Sequence, residues 1–282
     1  MSALYNAKAE IRCESLQARV LRVFPDGAKP TYSAGQYGSL GLESDEDPEK
    51  LVKRAYSVSS PIVSDDSDKA VDPGDIPYFE FYVNRVDRPA GDREQLTPKL
   101  FALKDGDRVF CGPKIVGHYT LDKVPAGKNI LLIGTTTGEA ANNSIAAQWL
   151  LDQRAGHLCQ IVLGDESWAS LYHDEHVRLQ ERLPSYLFIQ RAGADYLARI
   201  EADAERWCKD ESAAREDLGF ALTPESCHVF LVGDPEMIGA PKKLGGWEYE
   251  HPNYGLIRIL QKYGFSIKTR FKGGDIIYES YW

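Results

Sequence analysis

The rhythm of the chain changes at Val124-Pro125-Ala126-Gly127, and this change constrains the fold more than any other feature. On its C-terminal side, short apolar runs alternate with helical segments. Residues 129–134, Asn-Ile-Leu-Leu-Ile-Gly, suit a strand buried on both faces. Further strands are predicted at 158–163, 186–190 and 228–232. Helices are predicted over about 142–153, over 175–183 and along a charged segment at 195–218. Asn253 is placed to cap a helix ending at Tyr263, with Gly264 just beyond it. Strands alternating with helices predict right-handed crossovers and a mostly parallel, Rossmann-like sheet with helices on both faces.

On the N-terminal side the signals are those of short strands. Residues 18–24 are rich in strand formers and are followed by Asp26-Gly27, while Gly35, Gly38 and Gly41 punctuate an apolar stretch. Phe79, Phe81 and Val83 alternate with Tyr78, Glu80, Tyr82 and Asn84, the period of two of a half-exposed strand. Asp105-Gly106 and Cys111-Gly112-Pro113 supply turns. Only 97–103 reads as a helix, with Thr97 as N-cap and Pro98 at its first position. A small antiparallel β-barrel is expected here. At 282 residues the chain is long for one core. The expected domains are 1–124 and 125–282, the first interrupted by a solvated loop at Ser64-Asp65-Asp66-Ser67-Asp68.

A net charge of −9 argues against nucleic acid or an anionic membrane as the main partner. No apolar stretch approaches the roughly 20 residues that span a bilayer. The first residues, Met1-Ser2-Ala3-Leu4-Tyr5-Asn6, lack the layout of a signal peptide. Cys13, Cys111, Cys159, Cys208 and Cys227 show no Cys-x-x-Cys spacing, so reduced thiols in a cytoplasmic protein are expected, with no metal site.

Two segments carry chemistry. Arg54-Ala55-Tyr56-Ser57 offers a cation, an aromatic plate and a hydroxyl, and Tyr281-Trp282 offers further aromatic plates from the far end of the chain. A flat, redox-active ring needs two faces covered, an edge hydrogen-bonded and an anionic tail neutralised, and Arg gives bidentate phosphate recognition. In a parallel sheet, ligands sit beyond the carboxyl ends of the strands. Residues 134–141, Gly164-Asp165-Glu166 and Gly233-Asp234-Pro235 fall there, and the first could hold a pyrophosphate on main-chain amides.

The order of these segments resembles that of bacterial-type ferredoxin/flavodoxin–NADP(+) reductases, over nearly the whole chain. Arg54-Ala55-Tyr56-Ser57 resembles the family's Arg-x-Tyr-Ser flavin motif, and Glu80-Phe81-Tyr82-Val83 its next flavin-contacting strand. Leu96-Thr97-Pro98 through Leu103, then Gly106-Asp107, resembles the short helix near the FAD phosphates and its following turn. Gly117-His118-Tyr119-Thr120 is similar to the strand that closes the barrel, and Gly233-Asp234-Pro235-Glu236-Met237-Ile238 to the family's Gly-[Asn/Asp]-Pro-x-Met segment. Asp275-Ile276-Ile277-Tyr278-Glu279-Ser280-Tyr281-Trp282 resembles the bacterial C-terminal tail.

The resemblance implies an FAD-binding barrel followed by a nicotinamide-nucleotide domain. Arg54 would neutralise the FAD pyrophosphate, Tyr56 would cover one ring face and Ser57 would bond near flavin N5, the hydride acceptor. Tyr281 would cover the opposite face, Trp282 would extend along the flavin or its adenine, and Glu279 would relay a proton or orient Ser57. Ala55, Tyr82, Val83, Leu96, Thr97 and Thr137 complete the implied FAD contacts. Thr135, Gly138, Asp165, Arg191, Gly233, Asp234 and Pro235 are the implied nicotinamide-nucleotide contacts.

The nucleotide half departs from the family pattern. Where Thr-Gly-Thr-Gly followed by a Pro is usual, the chain has Gly134-Thr135-Thr136-Thr137-Gly138-Glu139-Ala140-Ala141, so Thr136 replaces a glycine and Ala141 the proline. Arginines that would meet a 2′-phosphate give way to Gly164-Asp165-Glu166 and to Ala192-Gly193-Ala194-Asp195, with Arg191 a shifted substitute. Val232 stands at a usual cysteine. Three functions follow: an NADPH reductase serving ferredoxin or flavodoxin; an NADH-preferring flavin reductase, since an acid suits a ribose diol; or a flavoprotein with a disabled nucleotide site acting as a binding module. Lys242-Lys243 and the alternating Lys268, Arg270 and Lys272, expected along an extended strand, are candidate cations for docking an acidic carrier.

Overall fold

The computed structural model describes residues 4–61, 70–86, 94–122, 124–243, 247–249, 255–269 and 272–281, with Lys242, Lys243 and 247–249 described by main chain alone. The acidic loop at 64–68, Asn253, Arg270 and Trp282 lie outside the described residues. The chain forms two compact units, Met1–Thr120 with Asn143–Leu151, and Leu121–Asn142 with Asp152–Trp282.

In the first unit, six strands close into an antiparallel barrel: β1 (Ala7–Glu14), β2 (Ala18–Pro25), β3 (Tyr37–Glu43), β4 (Leu51–Ser59), β5 (Phe79–Asn84) and β6 (Arg108–Cys111). Their order around the barrel is β1-β2-β5-β4-β3-β6. Leu21, Val23, Leu40, Val58, Phe79, Phe81, Val83 and Val109 fill the interior, and Leu96 and Leu100 pack against them. The expected half-exposed character of β5 is not what the structure has. Glu80 has no exposed surface and Tyr82 only 2%. Arg22, directly opposite Glu80 on β2, bonds its carboxylate at 2.9 Å, and Arg12 approaches at 3.5 Å. A buried carboxylate is tolerated when paired and hydrogen-bonded in this way.

Helix α1 (Thr97–Ala102) has Leu96, not Thr97, at its N-cap position, and no side chain caps it. The Thr97 hydroxyl is instead near enough to the Tyr56 phenol to oppose the rise in its pKa.

The second unit carries a five-stranded parallel sheet: β7 (Asn129–Thr135), β8 (Leu158–Gly164), β9 (Tyr186–Ala192), β10 (Cys227–Gly233) and β13 (Ile276–Ser280), in the order β13-β10-β7-β8-β9. β7, β8 and β10 are buried almost throughout, as their apolar runs require. The short strands β11 (Pro241–Lys243) and β12 (Trp247–Tyr249) form a separate antiparallel pair. Helices α2 (Glu139–Leu151), α3 (His173–Arg182), α6 (Pro235–Ile238) and α7 (Leu256–Lys262) fall between strands as the alternation demands.

The long helix expected at 195–218 is two helices, α4 (Tyr196–Lys209) and α5 (Glu211–Leu218). Asp210 breaks it by adopting an extended conformation and accepting hydrogen bonds from Ser212 and Ala213 N–H, an N-cap inside a charged run. Lys268 and Lys272 do not lie along an extended strand: Thr269 N–H donates to Lys272 O at 2.9 Å and Lys272 N–H to Thr269 Oγ1 at 3.0 Å. No helix among the described residues is long and apolar enough to cross a membrane. Among them, no cluster of His, Cys, Asp or Glu is arranged to hold a metal ion.

Candidate cofactor and nucleotide sites

In the barrel unit, β4 pairs with β3 from Leu51 to Ser57 but meets β5 only at Val58 and Ser59. Its N-terminal stretch therefore has ladder partners on one side, and strand edges of this kind present main-chain groups for recognition. Arg54 and Ala55 are exposed there, Tyr56 is half-buried and Ser57 is 6% exposed. The segment before α1 stands beside the same stretch. Arg54 Nη2 donates to Glu94 O at 3.1 Å and Nη1 to Lys53 O at 2.8 Å. Burial raises the Tyr56 phenol above its ordinary value, while the Thr97 hydrogen bond and the Arg54 charge oppose the rise.

Glu94 ties this segment down. Its carboxylate salt-bridges Lys99 at 2.8 Å and accepts from Ser44 Oγ and Asp45 N–H, and these contacts pull its pKa down to about 2. The structure thus places Arg54, Tyr56 and Ser57 on one strand, with the Glu94–Thr97 segment beside it. Tyr82, Val83 and Leu96 are buried parts of the barrel.

In the second unit, β7 is followed at once by a 3-10 turn, Thr136–Gly138, and then by α2. Chain order reverses direction in the sheet at β7 and β10, the switch point at which such sheets bind ligands. Thr135 and Gly233 meet there. Asp234 N–H donates to Thr135 Oγ1 at 2.8 Å. A Cβ on Gly233, whose φ is 112°, would lie 2.2 Å from that same oxygen. A Cβ on Gly138 would lie 2.8 Å from Val232 O, so the turn lies directly against β10. Thr136 has φ 46°, a left-handed conformation that a β-branched residue adopts only under constraint.

The same carboxyl edge gathers acids. Asp165, exposed at the end of β8, accepts from Ser167 N–H and Oγ, and both bonds lower its pKa. Tyr196 donates to Asp234 Oδ2 at 3.4 Å. Its phenol is pushed up to about 12, by burial first and then by the charges of Asp234 and Asp165. Arg191 is turned inward: it ion-pairs with Asp203 and its guanidinium sits 5.7 Å from the Trp207 ring centroid. Tyr281 N–H donates to Gly233 O at 2.9 Å, which extends the β10–β13 ladder by one residue, and Glu279 sits opposite Val232 in it.

No protein-family model matches the chain. Among curated proteins it is 30% identical to the flavodoxin/ferredoxin–NADP reductase of Escherichia coli over 217 residues, covering 73% of this chain and 76% of that protein. The Shigella flexneri flavodoxin/ferredoxin–NADP reductase is 31% identical over the same shares. The chain belongs to the flavodoxin/ferredoxin–NADP reductase family. It is therefore related to oxidoreductase enzymes, and its two-unit fold agrees with theirs. A ferredoxin NADP+ reductase from Neisseria gonorrhoeae, solved with bound FAD and NADP, superposes with a TM-score of 0.71 at 18% identity over 99% of both chains. The FAD/NAD-binding domain of a Vibrio cholerae nitric oxide dioxygenase gives 0.62 at 15% identity, over 98% of this chain and 99% of that one.

Within this reductase family member, two features of the nucleotide side escape a reading of the sequence. Tyr196 opens α4 and carries no local motif; only the sheet brings it to Asp234. Glu139 reads as part of the loop before a helix that the sequence starts at about 142, yet it opens α2 and has no exposed surface. Its partners lie 31 and 37 positions away.

Proposed function

We propose that this chain is an FAD-dependent reductase that exchanges electrons between a nicotinamide nucleotide and a small ferredoxin or flavodoxin. The observation that carries the reading is the β7–β10 switch point, where Gly138 and Gly233 are packed too closely for any side chain and the amides of Thr136–Gly138 open a helix. The first N–H groups of a helix lack intrahelical acceptors and suit a pyrophosphate. Thr135, Gly138, Gly233, Asp234 and Pro235 would hold the nucleotide.

The barrel residues fit a flavin dinucleotide. Arg54 supplies a permanent cation whose hydrogen bonds go to main-chain carbonyls, which leaves its charge for a diphosphate. Tyr56 supplies a half-buried ring near Thr97, with Ala55 and Ser57 beside it on β4. Bound together, the two cofactors supply hydride transfer from nicotinamide to the flavin ring. The chain's own work is to bind and orient them and to keep oxygen and water from the reduced ring. The assignments of Tyr281 and Glu279 to the flavin rest on the family resemblance, and substitution of each tests them.

A second reading, preference for NADH, is favoured by one observation. Asp165 is ionised at the edge while Arg191 is committed to Asp203. A carboxylate accepts from a ribose diol and repels a 2′-phosphate.

The test is steady-state electron transfer by FAD-loaded protein from NADPH or NADH to a purified ferredoxin or flavodoxin. Turnover that requires both nucleotide and carrier is expected. Flavin-bound protein that reduces neither carrier with either nucleotide would overturn the reading.

A further inference from the structure

The first residue of α2 is a carboxylate with no exposed surface, Glu139. Its Oε1 accepts from Ser170 Oγ at 2.5 Å and lies 2.9 Å from His176 Nε2. Its Oε2 is buried without a hydrogen-bond partner among the described residues. His176, also without exposed surface, lies flat on Phe188 at 3.9 Å between centroids, and its Nδ1 is 2.7 Å from Tyr186 Oη. These partners fix the tautomer: Tyr186 donates to Nδ1 and Nε2–H donates to Glu139. Ser170 Oγ in turn accepts from Tyr172 N–H at 3.0 Å.

A helix start needs only an exposed Ser, Thr or Asp to cap it, or a solvated acid in its first turn. Burying a carboxylate for that task is costly, the more so with one oxygen unbonded. The arrangement does something a cap does not. It joins the first residue of α2 to α3, to β9 and to the segment after β8 that begins with Asp165. Immediately before Glu139 lie the amides of Thr136–Gly138 and the strained φ of Thr136. On the other flank the same turn is held by Thr135 against Asp234 and by Gly138 against Val232. Two anchorages on opposite sides over-determine the turn, which is the condition under which strain persists.

We propose that Glu139, acting through Ser170 and His176, is a positioning residue that holds the Thr136–Gly138 amides ready for the nucleotide's pyrophosphate. It also couples that turn to the strand end carrying Asp165. This rests on the reading that the turn receives a nicotinamide nucleotide.

The experiment compares FAD-loaded parent, Glu139→Ala, Glu139→Gln and Ser170→Ala. Calorimetric titration with NADP+ and with NAD+ gives affinity without turnover. Anaerobic flavin reduction at varied NADPH and NADH gives half-saturation and limiting rate. Glu139→Ala is expected to weaken nucleotide binding about tenfold and leave the limiting rate unchanged, the loss of charge-assisted hydrogen bonds. Glu139→Gln is expected to recover most of that affinity, because its amide oxygen accepts the same two bonds. Ser170→Ala, which removes one of the two bonds to Glu139 together with the Tyr172 N–H bond, is expected to shift affinity about threefold, and it decides the matter if Glu139→Ala fails to fold. A melting temperature that falls in Glu139→Ala and Ser170→Ala with nucleotide affinity unchanged overturns the proposal and leaves Glu139 a fold residue. A parent that binds neither nucleotide overturns the reading of the site itself, and this assignment with it.

Discussion

The open stretch of β4 and the carboxyl edge of the parallel sheet differ in how they treat their arginines. Arg54 is exposed and spends its hydrogen bonds on the carbonyls of Lys53 and Glu94, so its charge is uncompensated by them. Arg191 is paired with Asp203 and set against Trp207, while Asp165 and Asp234 occupy the edge nearby. The difference teaches that the presence of an arginine near a strand end says little about anion binding until its partners are known. A paired guanidinium has spent its charge.

Substitutions can break that contrast. The largest effect is expected on the barrel side. Arg54→Ala should weaken FAD binding by about 10- to 100-fold, the loss of a charge-assisted contact. Fluorescence titration of deflavinated protein measures it, and retention equal to the parent would remove Arg54 from the flavin site. Next comes Asp165→Arg, which reverses the charge at the edge. The ratio of kcat/KM for NADPH over NADH should rise about tenfold, and an unmoved ratio would mean that Asp165 does not face the 2′ position.

A smaller effect is expected from Thr136→Gly. The left-handed turn costs a non-glycine residue about 1–2 kcal/mol and glycine gives back about 0.5–1 kcal/mol in unfolded-chain entropy, so removing the Cβ should raise the melting temperature by about 1–3 °C. Calorimetry that finds a lower melting temperature would mean that the Thr136 side chain contributes more than its strain costs. The smallest effect concerns acid. Glu94, pulled down from an ordinary 4.5 to about 2, contributes stability above the unfolded value that is lost as pH falls through the folded one. The anchored segment beside β4 should therefore loosen between those two values, and Glu94→Gln should flatten the pH dependence of flavin release in that window. An identical acid profile in the variant would assign the loss to other carboxylates.

Much of the fold was legible because its signals are local. The runs that became β7 and β10 are apolar without interruption, and the turn glycines stand where φ had to be positive, as at Gly106 and Gly264. Two of the errors share a cause, a polar residue whose partner the sequence does not point to. Glu80 signals an exposed face, but Arg22 and Arg12 arrive from neighbouring strands and bury it. Asp210 sits in a helical pattern, but its carboxylate prefers the amides two and three residues on. Thr97 suits an N-cap, but Leu96 takes that position and no side chain caps the helix.

The sites follow the same rule. Arg54, Tyr56 and Ser57 are legible because they are contiguous on one strand. Gly138 and Gly233 are named as contacts only by the family resemblance, and the crowding that leaves no room for a side chain there shows only in the structure. Thr136 was recognised as standing in a glycine's place, and its φ of 46° is the conformation a glycine would take without strain. What the sequence withheld was availability. Arg191 could be counted as a cation for a phosphate only until Asp203 was found beside it. Glu139 and His176 carry no spacing signal, since helix and strand packing alone brings them together.

The most direct test of the account is anaerobic stopped-flow absorbance of the FAD-loaded protein mixed separately with NADPH and NADH. The account predicts rapid flavin bleaching by at least one of the two. Intact bound FAD that neither nucleotide bleaches would contradict it, and would make the glycine-lined switch point of the second unit a relic of the family rather than a working site.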